Sequence, residues 1–445
     1  MGRKPSSRRL RSYLIAMFEG GGNIPLILPI VARLVSRGHN VRVVAGPSIR
    51  RPNAMSASEP FLERITATGA RVTRLPEPAT HPLPGRRRRG LAFGWAPNQL
   101  FKASDLALTS RWSSAWAQGF TDELRREAVD VVVADYFLLG ALAAGERAQL
   151  PTAALVHTST LPWPLPGVPV PGTGFNRAHH RVDHARDAIW AAAYRRVAVR
   201  EGLPSLNQAR RQLGLNPVAS PYRQYDAVAR VLVLGSPAFD FPARWLPDNV
   251  RYVGTPLDET TQPEWNSPWS PDDTRPLLLV SLSTLPQGQG PVMQRILVAL
   301  AEMPVRALVT LGPPLNRADF QAPPNVKLEI FVPHQGVLSH VAAVITQCGF
   351  STVTKALAHG VPLLCLPVLG DQPDNAARVV ALGAGLRLRP NAPSTDIKAA
   401  TQQLLDDPRF GEAARQLSVS LTNTSQNASD SAADELESLA LPDSA

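Results

Sequence analysis

Short, wholly apolar runs separated by amphipathic stretches recur along this chain, and that alternation leaves few folds open to it. Leu14 to Phe18, Val41 to Ala45, Val131 to Ala134, Ala153 to Val156 and Val231 to Leu234 each read as a strand buried on both faces. After the first, Pro25 suits an opening helical turn, because its missing N–H has no partner there. Leu26, Ile27, Ile30, Val31 and Leu34 then share one helical face, and Gly38 ends the helix. The alternation stops near Gly254 and resumes with Leu277 to Ser281, a helix from Pro291, Ala307 to Thr310, Val326 to Ile330, Ala343 to Ile345 and Leu363 to Leu366. Between the two series, Thr255 to Arg275 is dense in Pro, Asp, Thr and Trp and has no period. Strands alternating with helices imply a parallel sheet covered on both sides. The expected fold class is α/β, with two doubly wound Rossmann-like domains facing a cleft. The expected boundaries are 11–254, a linker at 255–275, a second domain at 276–420 and a polar tail at 421–445, with a last short helix around Ala433 to Leu439.

Composition narrows the classes. A chain of 445 residues exceeds one hydrophobic core, and 44% hydrophobic with 18% charged residues is too apolar for wholesale disorder. The net charge of +10 gathers in Arg3, Lys4, Arg8, Arg9, Arg11 and in Arg86 to Arg89, not along a face with interleaved aromatics. That pattern points away from nucleic acid and toward solvated loops, or a weak contact with an anionic membrane. Cys348 and Cys365 make no C-x-x-C pair, which fits a reducing, cytoplasmic compartment. No apolar run is long enough to span a bilayer, and the N-terminal run is cut short by Glu19 and three glycines, unlike a signal peptide. Nothing in the sequence sets an oligomeric state.

Several familiar chemistries are unwritten. There is no G-x-S-x-G elbow, no G-x-x-x-x-G-K-[ST] phosphate loop, no H-E-x-x-H zinc helix and no D-x-D pair. His179, His180, Asp183, His184 and Asp187 lie close in sequence, but Arg177, Arg181 and Arg186 among them disfavour a cation. No metal and no resident cofactor is expected. The stretch from Phe331 to Gly385 is the informative one. It reads as strand, Gly-bearing turn, helix, strand, loop, helix. Cys348-Gly349 marks a tight turn, and Ser351 and Thr352 fall where the helix begins, so N–H groups and hydroxyls together make an anion site suited to a nucleotide diphosphate. Asp371 and Gln372 follow the next strand at its carboxyl end, where an acid and an amide can hold sugar hydroxyls. Taken singly, Ser351, Thr352 and Asp371 read first as helix caps.

Together they resemble the donor-binding signature of the nucleotide-sugar glycosyltransferases, which include the UDP-glycosyltransferases and the antibiotic-decorating enzymes. Gly22-Asn23-Ile24-Pro25 through Val41, Asp130 to Asp135, and Leu246 to Gly254 resemble the same family's first half. The resemblance implies the GT-B fold, a UDP- or dTDP-sugar as co-substrate bound by the second half, and a hydrophobic small-molecule or lipid acceptor bound by the first. It implies inverting, metal-independent transfer of the hexosyltransferase type. Position by position, it implies that Phe331 stacks under the base, His334 lies beside it, Thr352 bonds phosphate, and Asp371 and Gln372 read the sugar. Departures accompany it. The phosphate-binding histidine is Gln347, the first glycine of a Gly-Gly pair is Cys348, and the ribose-holding glutamate is Lys355. The family's catalytic histidine falls at Asn23, and an amide cannot take a proton.

Two residues remain to act as base. Asp135 matches the carboxylate that would orient the missing histidine; the other candidate, His157, follows the strand Ala153 to Val156 on the same sheet edge. The first also reads as a strand-end cap and the second as an ordinary loop histidine. Trp95, Trp112, Trp116, Trp163 and Trp190 fall where acceptor-binding loops and helices would lie, and read either as a wide apolar pocket or as core. The Pro-rich run Leu161 to Pro171 reads as a loop over that cleft. The departures also leave open a catalytically degenerate relative that binds a ligand or partner protein, or a related GT-B sugar-nucleotide epimerase.

Overall fold

Among the described residues seven parallel strands form one sheet and six form another, and the two sheets have the same winding. The computed structural model describes residues 10–19, 23–46, 59–76, 110–159, 161–256, 265–282, 288–312 and 315–440. The first sheet holds β1 (Ser12–Phe18), β2 (Asn40–Gly46), β3 (Arg71–Arg74), β4 (Val131–Asp135), β5 (Thr152–Val156), β6 (Arg230–Val233) and β7 (Val250–Tyr252), in the order β3-β2-β1-β4-β5-β6-β7. The second holds β8 (Leu277–Ser281), β9 (Arg306–Thr310), β10 (Val326–Glu329), β11 (Ala343–Thr346), β12 (Leu363–Cys365) and β13 (Gly385–Arg387), in the order β10-β9-β8-β11-β12-β13. Strand order reverses between β1 and β4 and again between β8 and β11. Crevices at such reversals are where doubly wound sheets bind ligands.

The central strands are buried on both faces because helices cover both. In the first half these helices are α1 (Ile24–Ser36), α2 (Glu59–Ala67), α3 (Ser113–Arg126), α4 (Leu139–Arg147) and the long α5 (Arg181–Gln212). In the second they are α6 (Gly290–Ala301), α7 (His334–Leu338), α8 (Phe350–Ala358), α9 (Gln372–Ala381) and α10 (Ser394–Asp406), followed by α11 (Pro408–Gln426) and α12 (Ala428–Leu439). Four strands escape the apolar pattern, β3, β7, β10 and β13. Each lies at a sheet edge, where Arg71, Arg251, Lys327 or Arg387 can keep its charge in water.

The end of the chain differs from the expected polar tail with a short last helix. α11 runs through to Gln426, and α12 returns to the first half to pack on α1. Ala432, Ala433 and Leu436 of α12 join the same buried cluster as Ile27, Ile30 and Val31 of α1. Around that contact Arg37 reaches Asp430, Asp434 and Glu437 at 2.5, 2.7 and 3.1 Å, and His39 Nε2 meets Glu437 at 2.9 Å. Polar composition hid an amphipathic helix, because alanine supplies most of its apolar stripe.

Of the five tryptophans, Trp112 and Trp116 are buried in the first half's core, which favours the core reading for those two. Trp163 and Trp190 are partly buried against neighbouring clusters. Trp95, the basic residues Arg3, Lys4, Arg8 and Arg9, Arg86 to Arg89 and Gly22 lie outside the described residues. Trp265 and Trp269 of the linker segment pack against the main core. No described helix is long and apolar enough to cross a membrane.

Candidate active site

At the first sheet's reversal, three of the residues singled out by sequence meet on one carboxylate. β4 ends in Asp135, which is fully buried, and its Oδ1 accepts the backbone N–H of Phe137 at 3.0 Å. The cap reading of Asp135 therefore holds for one oxygen. The other, Oδ2, stands 3.0 Å from His157 Nδ1 and accepts the Asn23 amide N–H at 3.4 Å. The imidazole contact has the separation of an ion pair, but the ring N–H is not aligned for a hydrogen bond. Asn23 begins α1 without capping it; its amide nitrogen instead also donates to the Phe18 carbonyl at 3.0 Å. The His157 ring is boxed by Phe18, Tyr136 and Phe137, with centroids 5.8, 5.1 and 6.0 Å away. Burial, and after it the Asp135 charge, holds the Tyr136 phenol well above its ordinary range, so that ring stays neutral beside the dyad.

The second sheet's reversal carries the expected donor residues. After β11, Gln347 is buried with its amide oxygen unpaired. The tight turn is made by Cys348 at φ +69°, whereas Gly349 sits at φ −60° as the N-cap of α8. A side chain here costs about 1–2 kcal/mol relative to glycine, a cost the Cys348 turn sustains with its N–H on Thr346 Oγ1 at 3.2 Å. A Cβ built on Gly349 would meet open space, so the α8 N-terminus is approachable. Ser351 and Thr352 are partly exposed in the first turn of α8, where the Thr352 N–H bonds the Gly349 carbonyl at 3.1 Å and the N–H groups before it have no intrahelical partner. Lys355 lies one turn after Ser351 on the same face and is close enough to His334 to disfavour its protonation. Burial first, and Lys355 second, push the His334 imidazole down to about 4. Phe331 is 74% exposed between β10 and α7.

The acid and amide pair divide their roles. Asp371 precedes α9 but does not cap it; its Oδ2 accepts the Asn375 side-chain N–H at 2.9 Å. Gln372 is buried, and its amide oxygen accepts the backbone N–H groups of Val368 and Leu369 at 2.8 and 2.9 Å. It shapes the loop before α9, so of the two it is Asp371 that stays partly exposed at the crevice.

Sequence reasoning missed the residues that join the two edges. Ser159, two positions after His157, donates its hydroxyl to Asn375 Oδ1 at 2.6 Å across the cleft. Asp374 accepts the N–H groups of Gly172 and Gly174 at 2.6 and 2.9 Å, which docks the Pro-rich loop on α9. A Cβ on Gly174, at φ +61°, would lie 2.6 Å from Pro373, so only glycine allows that approach. Arg378, 2% exposed, makes two bonds to Asp240 Oδ1 at 2.9 and 2.5 Å and stacks over Phe241. The Asp-Asn-x-x-Arg spacing on one helix was the only available signal. The acidic members of the His179 to Asp187 group are engaged locally. Asp183 accepts the N–H groups of His179 and His180 at 3.1 Å each, and Asp187 pairs with Arg186.

Residues 294–439 match the family described as Erythromycin biosynthesis protein CIII-like, C-terminal domain. The chain is 28% identical over 418 residues to 4'-demethylrebeccamycin synthase of Lentzea aerocolonigenes, covering 89% of this chain and 92% of the relative. The chain is similar in sequence and in fold to the antibiotic-type GT-B glycosyltransferases. It is also 27% identical to zeaxanthin glucosyltransferase of Pseudescherichia vulneris, over 85% of this chain and 86% of the relative. Among solved structures, CalG4, the calicheamicin glycosyltransferase, covers 97% of the chain and 98% of its own length at TM-score 0.68 and 24% identity. The spinosyn rhamnosyltransferase SpnG complexed with thymidine diphosphate covers 94% and 98% at TM-score 0.62 and 17% identity. At those identities the likeness is one of fold, and it is the GT-B fold.

Proposed function

We propose that this glycosyltransferase moves a sugar from a UDP- or dTDP-sugar to a hydroxyl of a hydrophobic small molecule, with inversion and without a metal. The observation that carries the reading is the pairing of His157 Nδ1 with Asp135 Oδ2 at 3.0 Å, on the sheet edge opposite the open N-terminus of α8. With its ring proton on Nδ1, the nitrogen 3.0 Å from the carboxylate, His157 has the Nε2 lone pair available to an acceptor hydroxyl. As the acceptor oxygen bonds to the anomeric carbon, the bond from that carbon to the diphosphate oxygen breaks. The hydroxyl proton passes to Nε2, and the leaving diphosphate gathers its charge at the first turn of α8, with Ser351 and Thr352 beside it. His157 thus takes the place that Asn23 leaves vacant, and Asp135 keeps its role as the group that orients and balances an imidazole.

Three further observations support the assignment. Asn23 Oδ1 and Gln347 Oε1 are buried without a hydrogen-bond partner, and a bound ligand at the cleft can supply one to each. Phe18, Tyr136 and Phe137 around the imidazole give the acceptor point an aromatic wall, consistent with an apolar aglycone. SpnG, of the same fold, was solved with thymidine diphosphate. Calorimetry with UDP, dTDP, UDP-glucose and dTDP-glucose tests the donor half of the reading. Binding in the micromolar to millimolar range supports it, and no heat from any of the four at millimolar concentration contradicts it.

A further inference from the structure

Asn375 occupies an unusual position for a residue that touches neither the base dyad nor the α8 terminus. It is fully buried on the first turn of α9, and its side chain makes bonds in three directions. Its Nδ2 donates to Asp371 Oδ2 at 2.9 Å and to the Cys348 carbonyl at 2.8 Å. Its Oδ1 accepts the Ser159 hydroxyl at 2.6 Å, from the loop that follows β5 and His157. An amide is the side chain this arrangement requires, since it donates at one end and accepts at the other. A carboxylate in its place would face Asp371 and a carbonyl with no proton to offer.

We propose that Asn375 is a positioning residue for the donor sugar: it holds the Asp371 carboxylate at the crevice and ties it, through Ser159, to the loop bearing His157. The inference rests on the donor reading above. Asn375 is the one hydrogen-bond donor to the Asp371 carboxylate among the described residues, so without it nothing fixes that carboxylate's orientation. The Cys348 turn is less dependent, because β11 and the bond from Cys348 N–H to Thr346 hold it independently. Loss of Asn375 therefore falls on the sugar and spares the diphosphate. The neighbouring bonds make the crossing rigid: Asp374 clamps the N–H groups of Gly172 and Gly174 one residue earlier, and Arg378 locks to Asp240 one turn later.

The test compares affinities for dTDP and dTDP-glucose, with UDP and UDP-glucose as the second pair, by calorimetry on full-length protein. Asn375→Ala is expected to weaken the sugar nucleotide at least tenfold while dTDP or UDP changes less than threefold. Ser159→Ala, which leaves both Asn375 donor bonds in place and is the milder change to the fold, is expected to weaken only the sugar nucleotide, by about threefold. Ser159→Thr, retaining the hydroxyl, should restore it. Equal loss for nucleotide and sugar nucleotide marks a general lesion and overturns the inference, as does no loss for either. If Asn375→Ala does not fold, the Ser159 pair decides by the same criterion. Wild-type protein that binds none of the four ligands removes the donor reading, and this inference with it. Wild-type binding with unaltered variants removes this inference alone.

Discussion

Nδ1 of His157 lies 3.0 Å from Oδ2 of Asp135, although one residue follows β5 and the other ends β4. Parallel pairing of β4 with β5 brings both strand ends to one edge, with Asp135 opposite Leu155. Asn23 shares the same oxygen from the β1 side. Asp135→Asn therefore removes the charge that balances an imidazolium, and is expected to lower kcat on the order of a hundredfold or more. Asn23→Ala should cost less than about tenfold, because an amide at that place orients the carboxylate but moves no proton. Initial rates of the two variants side by side test this difference; equal losses would place Asn23 in the chemistry.

The low pKa of His334 gives the stability of the protein a pH dependence of definite sign. The imidazole titrates near 6.5 when unfolded and is pushed down to about 4 in the fold, so between those values the unfolded chain binds more protons. Folding stability falls as pH drops from about 6.5 toward 4, and this contribution vanishes above about 6.5. His334→Gln should remove it. Because the ring is partly exposed, the difference between variant and wild type at pH 5 relative to pH 7.5 is on the order of 1–2 kcal/mol. Denaturant melts at the two pH values read it. A difference that does not depend on pH would mean the folded ring is free to protonate.

Arg378 and Asp240 hold the two halves together at a buried point. The pair is completed by the Tyr252 hydroxyl on Asp240 Oδ2 at 2.5 Å and by the bond from Arg378 Nη1 to the Asp374 carbonyl at 3.1 Å. Arg378→Met leaves Asp240 without its counter-charge and should destabilise by about 3–5 kcal/mol. Adding Asp240→Asn should recover part of that loss, since the stranded charge is then gone. Chemical denaturation of the single and double variants measures both. A double variant no better than the single would show that packing of the guanidinium on Phe241, and not charge, dominates.

The turn at Cys348 predicts an inverted preference at that position. Cys348→Gly relieves a left-handed backbone worth about 1–2 kcal/mol and loses a buried thiol worth about 1 kcal/mol, so stability should change by less than about 1 kcal/mol. Cys348→Val adds β-branching at positive φ and should cost about 2 kcal/mol or more. Thermal melts of the two variants test the order. Valine tolerated as well as glycine would mean that the turn can relax.

Legibility tracked burial and separation along the chain. β1, β2, β4, β5, β8 and β11 were readable because both faces are covered and their sequences are apolar throughout. β3, β7 and β13 were not, because an edge strand of three or four residues with an exposed arginine has no distinguishing pattern. At the site, Asp135 and His157 were readable as strand-end residues, but their contact was not, and the reading left either one as the base. Ser159 and Asn375 are 216 positions apart, and no local pattern announces such a bond. The turn before α8 was placed correctly by Cys348-Gly349, yet the cysteine and not the glycine takes the left-handed backbone.

The central claim is that His157 performs the proton transfer for which Asn23 is unsuited. Its most direct test is the rate of sugar transfer by His157→Ala, measured with the same donor and acceptor as the wild type and accompanied by calorimetry of the donor. The account predicts a fall in kcat on the order of a hundredfold or more, with donor affinity within about twofold because the ring lies on the opposite edge of the cleft from α8. Undiminished turnover by His157→Ala would contradict it and leave Asp135 as the base.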